Sequence, residues 1–130
     1  MKVKCTVEID DQTIIGVLDS GFAFCTWWED FKLAERGTDK EHAWAGHVMS
    51  GGSVAIVVDD KYGDTGALIE QSENKYTYKL DRPAVEKGLQ ALANNEKYQH
   101  HFSNIVQDNS DAITGDVLIQ FALFGEEIFS

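Results

Sequence analysis

The apolar pattern of this 130-residue chain changes its period at Asp81, and that change limits the fold more than any other feature. Before it, Tyr76, Tyr78 and Leu80 alternate with Lys75, Thr77 and Lys79, the period of two of a half-buried strand. Val54 to Val58 runs apolar without a break behind the turn signal Gly51-Gly52, as a central strand covered on both faces does. After it, Val85, Leu89, Leu92 and Ala93 recur at helical spacing. Asp81 is placed to cap that helix, and Pro83 lies in its first turn, where a missing N–H does no harm. A second helix carries Tyr98, Phe102, Ile105 and Val106. A third opens at Ser110 or Asp111 and presents Ile113, Val117, Leu118, Phe121 and Phe124.

Strands that precede helices argue for an α+β domain. The expected fold is an antiparallel sheet of about four to five strands, with a short N-terminal helix and three C-terminal helices packed on one face. One domain spans residues 1–130, since Pro83 is the only proline and no stretch is rich enough in Gly, Ser or Pro to be a linker.

Other segments are read the same way. Residues 2–10 alternate Val3, Cys5, Val7 and Ile9 with polar residues and predict a strand. Asp10 or Asp11 caps a short helix through Leu18 that Gly21 ends. The aromatics between Phe22 and Leu33 favour a strand, which would point Trp27 and Trp28 to opposite faces. Residues 34–42 read as a solvated loop, and Ala43–Met49 and Ala67–Gln71 as further strands.

Charge narrows function. The net charge is -11, only Arg36 and Arg82 are arginines, and residues 98–130 hold Asp108, Asp111, Asp116, Glu126 and Glu127 without one Lys or Arg. Direct nucleic-acid binding needs cations against phosphates, and an anionic membrane surface needs them too, so both are disfavoured. Acidity of this kind keeps a small protein soluble, or it forms a face that attracts a basic partner. The alternating N-terminus does not read as a signal peptide, and no apolar run spans a bilayer, so a cytoplasmic location is expected. Cys5 and Cys25 lie in apolar or aromatic surroundings and are expected to be buried and reduced.

No catalytic motif stands out. The serines lack a Gly-x-Ser-x-Gly setting, and the glycines at 51–52 and 63–66 lack the Gly-Lys-Ser/Thr of a phosphate loop. No enzyme activity and no cofactor are therefore expected. Asp59, Asp60, Asp64 and Glu70 around Gly63 and Gly66 form a weak cation candidate whose spacing fits no EF-hand loop. The adjacent His100 and His101 diverge by about 100° on a helix, so they read as structural rather than as zinc ligands. Trp28 and Trp44, rimmed by Glu29, Asp30 and Asp39, are the candidate contact surface, because Trp supplies much of the energy in protein interfaces.

The ending Asp111-Ala112-Ile113-Thr114-Gly115-Asp116 through Leu123-Phe124-Gly125-Glu126 resembles that of small acidic proteins encoded in phages and prophages. The likeness extends back through Tyr78-Lys79-Leu80-Asp81, Glu86-Lys87-Gly88-Leu89 and His101-Phe102, roughly the last 55 residues. Residues 34–75 depart from that pattern. The resemblance implies a phage accessory protein, working in a bacterial host, that binds and inhibits a host protein, such as a basic, nucleic-acid-handling or defence protein. From aromatic content and charge, the candidate partner-binding residues are Trp28, Trp44, Glu29, Asp30, Asp108, Asp116, Glu126 and Glu127. The alternative is a small-molecule binder that sequesters a nucleotide in a pocket of Trp27, Trp44 or Tyr62.

Overall fold

A computed structural model describes residues 1, 6–39 and 41–130. Five helices and a four-stranded antiparallel sheet follow in the order α1 (Asp11–Phe24), β1 (Asp30–Glu35), α2 (Ala45–Met49), β2 (Ser53–Val58), β3 (Leu68–Ser72), β4 (Lys75–Leu80), α3 (Arg82–Ala93), α4 (Gln99–Val106) and α5 (Ala112–Phe124). The sheet order is β1-β2-β4-β3. The α+β class stands, with four strands among the described residues.

Each long helix starts where a carboxylate can take up its free amides. Asp10 accepts from Gln12 N at 2.7 Å, Asp81 from Ala84 N at 2.9 Å and Asp111 from Thr114 N at 2.9 Å. Gly125 ends α5 in the left-handed conformation, φ 76°, which a residue with a Cβ adopts only with strain.

α5 is the centre of the molecule. Every residue from Thr114 to Phe124 is buried, and the helix packs against α1, α3, α4 and β4. A helix apolar all round has no solvent face to present, so the other elements must wrap it. Val54, Ile56 and Val58 of β2 and Tyr78 and Leu80 of β4 join this core. All six residues of β2 are buried, as its apolar run predicts, though its two faces are covered differently. Ala55 and Val57 are buried but lie outside the core cluster. Ala55 pairs with Lys32 and Lys79, and Val57 with Asp30 and Thr77, so longer polar neighbours screen the small central side chains.

Further expectations differ from the structure. α1 continues through Gly21 to Phe24 instead of stopping near Leu18. A Cβ on Gly21 would lie 2.6 Å from the Gly115 carbonyl carbon, so this glycine admits the backbone of α5 rather than terminating α1. The aromatic stretch from Phe22 splits between the end of α1, an irregular turn and β1, so Trp27 and Trp28 lie in no strand. Ala43–Met49 contains the short helix α2, whose five residues are too few to show a helical period. Of the N-terminal strand, residues 2–5 lie outside the described residues, and 6–10 carry no strand pairing. Val106 and Ile113, expected on inner helix faces, are 43% and 53% exposed.

Candidate functional site

The turn from α1 to β1 gathers the aromatic residues. Trp28 stacks on Phe31 (centroids 4.8 Å, planes 13° apart), Phe31 meets Trp44 edge-on at 4.8 Å, and Phe22 tilts against Phe31 at 5.0 Å. Trp27 contacts Trp28 at 5.2 Å, so the two neighbours pack together rather than facing opposite ways. All five rings are half-buried. Glu29 and Asp30 sit exposed beside them, and Asp30 accepts from Phe31 N at 2.8 Å. Sequence reasoning chose Trp28 and Trp44 but missed that Phe31 joins them, because β1 was not separable from the aromatic run.

The acids proposed for that surface do not share one place. Glu29 and Asp30 line a hollow of about 630 Å³ on the outer sheet face, together with Glu70, Lys32 and Lys75. Three carboxylates there face two lysines, so the patch is far less anionic than the chain. Asp108 is exposed after α4 with a left-handed backbone, φ 57°. Glu126 is exposed beyond α5, and Glu127 accepts from the Tyr98 hydroxyl at 3.1 Å.

Asp116 is a correction. It is 8% exposed, and its Oδ1 accepts from Trp27 Nε1 at 2.7 Å, Cys25 Sγ at 3.1 Å and Gln120 Nε2 at 3.1 Å. It organises the interior and is closed to a partner. Burial, then the adjacent Asp116 carboxylate, push the Cys25 thiol well up, so Cys25 stays protonated and is a poor nucleophile.

The loop of the cation candidate has another task. Asp59 accepts from the Tyr62 hydroxyl at 3.2 Å, and Asp60 from Lys61 N at 2.7 Å. The Tyr78 hydroxyl accepts from Tyr62 N at 2.7 Å and donates to Tyr62 O at 2.9 Å, while Thr65 Oγ1 donates to Leu123 O at 2.6 Å. Gly63 lies on the Phe124 carbonyl, where no Cβ fits. These contacts latch the loop onto the end of α5, and Glu70 lies apart on β3. Among the described residues no three His, Cys, Asp or Glu side chains converge as metal ligands, and no helix is long and apolar enough to cross a membrane.

His42, His47 and His101 make structural hydrogen bonds. His47 Nδ1 accepts from Gly37 N at 2.9 Å, and buried His101 meets buried Thr114 at 2.8 Å. His42 pairs with Asp39 at 3.0 Å. That hydrogen bond raises His42 above its ordinary 6.5, and bonds from Glu41 N and then His42 hold Asp39 below 3.8. Asp19 opposes the trend, since burial pushes it up. A raised His stabilises fully below its unfolded value and loses this as pH rises through its folded value; a lowered Asp loses its share as pH falls through its folded value. The pair therefore contributes most between about pH 4 and 6.5. Urea midpoints of wild type and His42→Gln are expected to differ most near pH 5.5 and to converge by pH 8. A constant difference would show that His42 acts only by packing.

The three aromatics proposed for a nucleotide pocket do not share a cavity. Trp44 packs on Phe31, while Trp27 and Tyr62 both contact Phe129. A hollow of about 820 Å³ lies elsewhere, between residues 6–9, α1 and α3, over Ile14, Val85, Leu89 and Phe102. Comparison with known proteins returns nothing: no family, no curated protein and no solved structure matches this chain.

Proposed function

We propose that this chain binds a host protein and blocks it, as an accessory protein of the phage or prophage kind, using the Trp28–Phe31–Trp44 cluster as its contact surface. The supporting observation is the stacked, half-buried cluster beside exposed Glu29 and Asp30. Rigid aromatic rings deliver apolar area at little entropic cost, and a carboxylate rim steers a basic partner without carrying much of the affinity. The resemblance supports the host setting, and the net charge of -11 favours a basic protein over nucleic acid. A protein partner is preferred to a nucleotide because Trp27, Trp44 and Tyr62 do not gather around one cavity: Trp44 packs on Phe31, while Trp27 and Tyr62 contact Phe129.

The test compares capture from bacterial lysate by wild type, Trp28→Ala, and Glu29→Lys with Asp30→Lys. Trp28→Ala is expected to weaken capture at least about tenfold. The lysine variants should slow association and remove its salt dependence. Equal recovery by all three proteins would place the contact elsewhere.

A further inference from the structure

We propose that the slot between Trp27, Tyr62 and Phe124, together with the side-chain amide of Gln120, is a binding site for an extended peptide segment carrying an aromatic residue. Residues 127–129 of this chain occupy it in cis. Gln120 interrupts the apolar run of α5 and is wholly buried. Its Oε1 accepts from Ile128 N and Phe129 N, both at 2.8 Å, and its Nε2 donates to Phe129 O at 2.8 Å. The remaining Nε2 bond goes to Asp116 Oδ1, which also accepts from Trp27 Nε1; an acceptor there fixes which way the amide points.

The amide thus reads main-chain atoms, whatever the side chains of the segment. Selectivity comes from the rings. Phe129 stacks on Trp27 at 5.0 Å with planes 3° apart, and meets Tyr62 edge-on at 5.3 Å and Phe124 at 6.2 Å. The walls stand without the segment: Trp27 is held by Asp116, the Tyr62 backbone by the Tyr78 hydroxyl, and Phe124 by its place in α5. The occupant is held less firmly. It follows the left-handed Gly125, has no secondary structure, and both Ile128 and Phe129 are only half-buried. A preformed receptor with a lightly held cis ligand is open to competition by a segment of the same chemistry.

That competitor is an aliphatic–aromatic segment of another protein rather than the same segment of a second copy. From Gly125 to Ile128 the chain spans at most about 10 Å. Exchange between copies would bring two α5 ends together, each with Glu126 and Glu127.

The probe is a dye-labelled peptide of residues 125–130, Gly-Glu-Glu-Ile-Phe-Ser, titrated into the full chain carrying Phe129→Ala and into wild type. The variant is expected to bind it saturably, at least tenfold more tightly than wild type, and its Trp27 indole N–H resonance should move towards the wild-type position. A peptide with alanine for phenylalanine should bind neither. If the variant unfolds, the peptide is expected to restore the fold. A folded variant that ignores the peptide, an unfolded one that it does not restore, or equal binding by wild type overturns the proposal. Only this chain and the peptide are present, so the result is independent of the lysate test.

Discussion

A single methyl group at position 115 is expected to destabilise the protein by about 3 kcal/mol, a fall in Tm of about 12 °C. A Cβ on Gly115 would lie 2.4 Å from Val17 O and 2.6 Å from Gly21 N. Both are backbone atoms of α1, so no rotamer change relieves the clash, and α1 must move off the helix that forms the centre of the core. The same chemistry five residues from Gly21 supplies the control. Gly16 is exposed in the middle of α1, and a Cβ there meets nothing within 4 Å. Gly16→Ala is expected to stabilise by about 0.5–1 kcal/mol, since glycine costs a helix more backbone entropy than alanine. Guanidinium unfolding of the two variants should give shifts of opposite sign. A loss below about 1 kcal/mol for Gly115→Ala would mean that the crossing of α1 and α5 is looser than described.

That pair of glycines shows where reading the chain works and where it stops. α3, α4, α5, β2 and β4 were legible because their signals are local: Asp81 and Asp111 cap the next amides, and the alternation from Lys75 to Leu80 lies within one strand. Gly21 carries no such signal. Read locally it ends a helix, and only Gly115, distant in sequence, gives it another meaning. Phe22 and Phe24 have strand propensity yet close α1; Phe22 packs against the core, which overrides a weak preference, while Phe24 is carried along exposed.

The site divides in the same way. Trp28, Trp44, Glu29 and Asp30 could be chosen by residue type, and the structure puts the two tryptophans around Phe31 with the acids beside them. Gln120 was visible as a polar break in an apolar run, but its partners at 116, 128 and 129 were not. Acidity misled most at Asp116. Counting charges treats each carboxylate as surface, and the donors that allow this one to be buried come from 89 and 91 residues away.

Asp116 therefore carries the second large prediction: Asp116→Ala is expected to cost about 3 kcal/mol or more. The substitution leaves the Trp27 N–H, the Cys25 thiol and one Gln120 N–H facing a small void, and a buried donor without an acceptor loses its hydration with nothing in return. It also frees the amide of Gln120 to turn, which loosens its hold on Ile128 and Phe129. Asp116→Asn keeps an acceptor oxygen but adds two donors where three already converge, so an intermediate loss of about 1–2 kcal/mol is expected. Cys25 gives an independent readout. Removing the carboxylate takes away one cause of its raised pKa, so alkylation of Cys25 should be faster in Asp116→Ala than in wild type. Were Asp116 a contact residue, the alanine variant would unfold at the wild-type guanidinium midpoint and lose partner capture. The buried network requires the reverse order of effects, with stability lost first and any loss of capture following from it.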